Sequence, residues 1–242
     1  MEDKGDEISR LIDALQSTDK PEIRAAVDAL IDHVSQSTEL AETLAAILAD
    51  PTRRNRWAIA YVLAHLPQPS QSALDVLSDG LNHPDPDIRW AVVLLLARLA
   101  KAHPHIVTRL LDLLAKGTGN QRRMAVYCIR AVELRDGASL QALLETLHDP
   151  DPMVRVATVT SLKYRSSLGP NVYDTLLQLF LEDPDVRVRN VAAVTLAQLG
   201  WNSQEFIVAL TQASQTGDAQ QRKAASAALE LVQKKRSAPP GS

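Results

Sequence analysis

His83-Pro84-Asp85-Pro86-Asp87-Ile88-Arg89-Trp90-Ala91-Val92-Val93-Leu94-Leu95-Leu96-Ala97-Arg98-Leu99 is the stretch that decides the fold. Proline and aspartate punctuate its start, and an apolar run with one early arginine follows. Aspartate suits a helix cap and proline the first helical position, so the stretch reads as turn, helix start and apolar helix. The phrase returns as Asp149-Pro150-Asp151-Pro152-Met153-Val154-Arg155-Val156-Ala157, and again as Asp183-Pro184-Asp185-Val186-Arg187-Val188-Arg189. Aligning its arginine gives Arg24, Arg56, Arg89, Arg122, Arg155, Arg189 and Arg222, at steps of 32 to 34 residues. Seven residues after each stands Ile31, Leu63, Leu96, Ile129, Leu162, Leu196 and Leu229. The chain is an internal repeat, and the physical consequence of such a period is a stack of supersecondary units that bury their faces on one another.

Working outward, each repeat holds two helical patterns. The first helices carry Ile8/Leu11/Ile12/Leu15, Leu40/Leu44/Ile47/Leu48, Leu74/Leu77/Leu81, Ile106/Leu110/Leu113/Leu114, Leu140/Leu143/Leu144/Leu147, Leu176/Leu177/Phe180 and Phe206/Ile207/Leu210. These sets have the three-and-four spacing of one buried helical face. The second helices are predicted to begin near Pro21, Thr52, Pro86, Asn120, Pro152, Asp185 and Asp218. The expected fold is all-α: a right-handed α-solenoid of about seven helix pairs over residues 1–236, followed by a disordered tail at 237–242. Terminal repeats should be polar outward, and residues 1–36 hold nine acidic residues against four basic ones.

Composition narrows the function classes. Hydrophobic residues make up 45% of the 242 but aromatics only 4%, which suits close-packed Leu/Ala/Val helices. A net charge of -3 gives no global case for nucleic acid or membrane binding, so any such case must be local. The single cysteine, Cys128, rules out an intrachain disulfide and any multi-cysteine metal site. No signal segment and no run of 18 apolar residues occur, which points to a cytoplasmic protein without a membrane partner.

The phrase Asp-Pro-x-Val/Ile-Arg before an alanine-rich helix resembles the HEAT-repeat superfamily, closest to the short bacterial type also seen in phycobilisome-lyase-like repeat proteins. The resemblance covers roughly Glu7 to Gln233. Repeats 3, 5 and 6 carry it best. Repeat 4 departs, with Gly117-Thr118-Gly119-Asn120, and repeat 2 has Thr52-Arg53-Arg54-Asn55. A period near 33 would also fit ankyrin or tetratricopeptide repeats, but the Thr-Pro-Leu-His phrase of the former and the Trp/Leu-Gly/Tyr pattern of the latter are absent. The resemblance implies that the second helices line a concave surface. It also implies that Asp85, Asp151, Asp185 and Asp218, four residues before their arginines, form a ladder with them between repeats.

No catalytic constellation emerges. The six histidines include no His-Glu pair, unlike the iron sites of HEAT-repeat deoxyhypusine hydroxylases, and His103-Pro104-His105 cannot share a helical face. Cys128 falls at the core position held elsewhere by Leu30, Val62 and Leu95. Gly117 and Gly119 precede no Lys-Ser/Thr, so no phosphate loop is present. The expectation is a non-enzyme with no cofactor and no metal.

The informative surface is the outer face of the second helices. Offsets of two, three, six, seven and ten from the arginine are mostly apolar, leaving one, five and eight to point away. These are Trp57, Tyr61 and Ala64 in repeat 2, Trp90, Leu94 and Ala97 in repeat 3, Arg123, Tyr127 and Arg130 in repeat 4, and Val156, Thr160 and Lys163 in repeat 5. Arg98 and Tyr164 lie on the flank. Trp57, Tyr61, Trp90, Arg98, Arg123, Tyr127, Arg130, Lys163 and Tyr164 are thus the expected partner-binding residues, aromatic in repeats 2 and 3 and basic in 4 and 5. Aromatic and arginine side chains anchor interfaces, so the expected partner is a protein or peptide with apolar and acidic groups. Two rivals stand beside it: nucleic-acid binding through Arg53, Arg54, Arg123 and Arg130, and a bilin lyase-like role suggested by the resemblance alone.

Overall fold

A computed structural model of the chain describes residues 4–132, 137–164 and 168–237, so most of the tail expected to be disordered lies outside the described residues. The described chain is helical throughout, without strands. It divides into two compact units, Met1–Ile106 and Val107–Ser242.

The first unit contains α1 (Lys4–Ala14), α2 (Lys20–Val34), α3 (Thr38–Ala49), α4 (Arg56–Leu63), α5 (Gln71–Gly80) and α6 (Pro86–Ala102), with the start of α7 (Pro104–Lys116). The second continues with α8 (Gly119–Val132), α9 (Gly137–Glu145), α10 (Pro152–Leu162), α11 (Pro170–Glu182), α12 (Val186–Leu199), α13 (Gln204–Thr216) and α14 (Ala219–Ser237). A short 3-10 turn, Thr146–His148, follows α9. Each repeat arginine stands at or just inside the start of an even-numbered helix, as the period requires.

In the second unit α8, α10, α12 and α14 pack in series, and α11 and α13 lie on α12 and α14. In the first, α1 and α4 pack on α2, and α3 and α5 on α4. The predicted apolar faces supply the core: Leu44, Leu77, Leu110, Leu143, Leu176 and Phe206, one from each later first helix, are fully buried, as is Leu15 just past the end of α1. Burying one such side chain is worth about 1.5–3 kcal/mol, so the repeated leucine is the main stabilising element of each pair. Ile8, Leu11 and Ile12 of α1 remain half-exposed, as suits a terminal repeat.

The turns do the capping that the sequence advertised. Oδ1 of Asp85, Asp151 and Asp185 accepts the N–H two residues on at 2.8–2.9 Å. The Arg187 guanidinium, bonded to the same carboxylate, holds Asp185 down to about 2. Repeat 2 differs from expectation. Its second helix starts at Arg56 rather than near Thr52, because Asn55 adopts a left-handed backbone with φ of 48°. Its Nδ2 donates to the carbonyls of Leu15 at 3.1 Å and Ser17 at 2.8 Å, tying this turn to the one between α1 and α2. In repeat 4, a Cβ at Gly119 would meet the Asp151 carboxylate, which would have to swing aside.

The arginine ladder exists, but through other aspartates than those expected. Arg122 of α8 meets Asp149 through Nε at 2.6 Å and Nη2 at 2.7 Å. Arg155 of α10 meets Asp183 in the same way at 2.8 and 2.7 Å. The carboxylate used stands six residues before the next arginine, not four. The one at minus four is already engaged by its own helix start. Its neighbour at minus six accepts the N–H of Asp151 or Asp185 and still has a second oxygen for the preceding repeat. The remaining guanidinium nitrogen, Nη1, donates to carbonyls of the arginine's own turn in Arg89, Arg122, Arg155, Arg189 and Arg222. Along the chain the minus-six position reads Thr18, Asp50, His83, Lys116, Asp149, Asp183 and Thr216, so the ladder is incomplete. Arg24 is exposed and lies 4.0 Å from Asp28 instead.

Candidate functional site

The expected site residues fall in both units. In the first, Trp57 and Tyr61 ride on α4, and Trp90 and Arg98 on α6. Trp57 is half-buried: its ring meets His83 edge-on at 6.3 Å, and its Nε1 is buried without a hydrogen-bond partner among the described residues. Tyr61 is also half-buried and tilts against His65 at 5.2 Å. The His65 Nδ1 lies 2.9 Å from the Tyr61 carbonyl, which requires the tautomer with a proton on Nδ1. Burial holds the Tyr61 hydroxyl above its ordinary value and the His65 imidazole below its own, so both are neutral near pH 7. Trp90 and Leu94 are the exposed pair, at 40% and 64% of full exposure, with the exposed Arg98 one turn beyond Leu94.

The offset rule fails at one position. Ala64 and Ala97, expected to face outward eight residues after the arginine, are buried. A helix flanked by neighbours on both sides exposes a narrower arc than three offsets span, and a small side chain at the arc's edge is covered.

In the second unit Arg123, Tyr127 and Arg130 lie on α8, Lys163 caps the end of α10, and Tyr164 follows it. Four of these converge. The Arg130 guanidinium lies 5.0 Å from the centre of the Tyr127 ring and 5.4 Å from that of Tyr164. The Lys163 ammonium lies 4.9 Å from the same Tyr164 ring, which is 65% exposed. Arg123 stands apart from the rings, donating to the Asn120 Oδ1 at 2.9 Å with its Nε buried and without a hydrogen-bond partner among the described residues. The α8 residues project together because they are spaced four and three apart, and α10 packs alongside α8.

These groups can stack on aromatic or cationic partners, donate hydrogen bonds and pair with anions. Cys128 is fully buried and its thiol is pushed far up by desolvation, so it is no nucleophile. No group of His, Cys, Asp and Glu among the described residues could hold a metal ion. No described helix is long and apolar enough to cross a membrane. A cavity of about 440 Å³ in the second unit opens over the Arg155–Asp183 pair, between the Leu147–Pro150 turn and α11. The Tyr173–Trp201 stack, 4.8 Å between ring centres and 16° from parallel, was missed in the sequence because neither residue lies on a second helix.

Helices paired at a period near 33 residues, with the second helices packed in series in the second unit, define the class of all-α helical-repeat proteins. The HEAT repeats family model matches residues 40–130 and 140–230, and the chain belongs to that family. No curated protein matches it. Among solved structures it is similar to YibA of Escherichia coli, at 14% identity over 93% of this chain and 92% of that one, with a TM-score of 0.57. It is also similar to a designed armadillo repeat protein in complex with the peptide (KR)4, at 18% identity, 93% and 99% coverage and a TM-score of 0.44. A third is the complex of CpcE and CpcF of phycocyanin lyase from Nostoc sp. PCC7120, at 19% identity, 93% and 94% coverage and a TM-score of 0.36. YibA supports the fold; the other two, below 0.5, carry no argument.

Proposed function

We propose that the chain is a non-enzymatic scaffold that holds a protein or peptide partner on the outward faces of its second helices. The partner brings apolar side chains to Trp57, Tyr61, Trp90 and Leu94, and acidic groups to Arg98, Arg123, Arg130, Lys163 and the tyrosines beside them. The observation that carries this reading is the exposure of Trp90 and Leu94 on α6, a helix whose Val92, Val93, Leu95 and Leu96 are buried. Adjacent large apolar groups left in water on an otherwise well-covered helix are the mark of a surface that has a partner. Tryptophan beside arginine is the pairing most often found to carry interface energy.

The test is affinity capture from cell lysate with identification by mass spectrometry, comparing the natural chain with the double variant Trp90→Ala/Arg130→Ala. Both proteins should show native helicity by circular dichroism. Loss of the captured partner in the double variant supports the reading, and unchanged capture ends it.

A further inference from the structure

We propose that the ends of α8 and α10 form a carboxylate clamp, with Arg130 as its anchor and the acidic side chains of a peptide as its ligand. This rests on the scaffold reading and names the chemistry of one of its patches.

The Arg130 guanidinium lies over two tyrosine rings, 5.0 Å from the centre of Tyr127 and 5.4 Å from that of Tyr164, and the Lys163 ammonium lies 4.9 Å from the second. A guanidinium fixed by ring faces has already lost much of the side-chain freedom that binding would otherwise cost. A cation–π contact spends no N–H on an acceptor, so the guanidinium can still donate to a bidentate carboxylate. Cations near helix C-termini are often accounted for by the last carbonyls. Here neither the Arg130 guanidinium nor the Lys163 ammonium donates to a carbonyl or a carboxylate among the described residues. The contrast with the same helices is sharp: Arg122 and Arg155 each meet a carboxylate through two hydrogen bonds. The chain as a whole carries -3, yet Arg130 and Lys163 meet at the Tyr164 ring without an ion pair to an acidic side chain among the described residues. That local excess is complementary to an acidic segment.

A peptide fits better than a nucleic acid. The rings that would stack on bases, Tyr127 and Tyr164, already carry cations, so stacking would first have to displace them. Two cations on an acidic chain also make a poor track for a phosphate backbone.

The test is fluorescence anisotropy of the full chain with fluorescein-labelled hexaglutamate at low salt, against labelled hexalysine and oligothymidylate. Hexaglutamate should bind at least about tenfold more tightly than either, and Arg130→Gln should weaken it about tenfold. Arg130→Lys keeps the charge but loses the fork, and should weaken binding at least about fivefold. Lys223→Ala, which removes an exposed cation of α14 outside the patch, should leave it unchanged. The clamp is overturned if Arg130→Lys binds as the natural chain does, if Arg130→Gln with native helicity loses nothing, or if oligothymidylate binds more tightly. Partner capture that needs Trp90, without hexaglutamate binding, sinks the clamp and spares the scaffold. Arg130-dependent hexaglutamate binding, with capture indifferent to both residues, upholds the clamp's anion chemistry and sinks the scaffold.

Discussion

Arg155 and Asp183 show what a single pair can do in a repeat fold. Their side chains are 11% and 2% exposed, and both hydrogen bonds are short. The bond to Asp183 raises the Arg155 guanidinium above its ordinary value. Removing one member of such a pair strands the other charge in the interior. Asp183→Ala should therefore destabilise the protein by about 3–5 kcal/mol, read as a shift in the urea midpoint. His83 fills the same turn position with different chemistry: its Nδ1 accepts the Asp85 N–H at 3.0 Å, where Asp149 and Asp183 use a carboxylate oxygen. A nitrogen that accepts cannot carry a proton. Desolvation is the main cause holding His83 below its ordinary value, with Asp85 opposing and Arg89 and Lys20 adding to the effect. The folded state thus prefers the neutral ring. Its contribution to stability is complete above about pH 6.5 and is lost as the pH falls below that value. The melting temperature should drop between pH 7.5 and pH 5, and His83→Asp should reduce that drop, because an aspartate accepts the same N–H without needing a neutral imidazole.

At the scale of the element, α4 is the exception that explains its surroundings. It has eight residues against seventeen in α6, and most of its side chains are buried. Asn55 makes the short helix possible by taking a left-handed backbone and holding two carbonyls of the first repeat's turn. Lys20 at the start of α2 reaches Asp85 and Asp87 at the start of α6, so the second helices of repeats 1 and 3 begin close together. Replacing Asn55 separates the contributions. Asn55→Gly keeps the backbone and loses two hydrogen bonds, about 1–3 kcal/mol together. Asn55→Ala adds about 1–2 kcal/mol of left-handed strain, so the alanine variant should have the lower urea midpoint.

For the whole molecule, the repeat was legible because its signal is redundant: seven arginines at nearly constant steps and a buried leucine or phenylalanine in or just past every first helix. The start of α4 was not, since Thr52 looks like a cap and only the turn's three-dimensional path hands that place to Asn55. The ladder was half legible. Sequence marks the aspartate nearest the arginine, but a capping carboxylate is occupied by its own backbone, and the bridging task passes to Asp149 and Asp183. Helical geometry of 100° per residue placed Trp90 and Leu94 in the open, while Tyr164, read as lying on the flank, is exposed just past the end of α10. It could not foresee that neighbouring helices cover Ala64, Ala97 and half of Trp57. The Tyr127–Arg130–Tyr164 assembly was legible as a set of residues and not as a contact, because one of its rings comes from the next repeat.

The gaps in the arginine–aspartate ladder give the second unit a grain. Rungs join repeat 4 to 5 and 5 to 6, while Thr216 stands where a rung from Arg189 would end. The last helix pair is held by apolar packing and by the Lys235 ammonium on the Gln198 carbonyl. Pulled from its C-terminus, this half peels rather than snaps: the final pair comes away first and the riveted pairs behind it yield later.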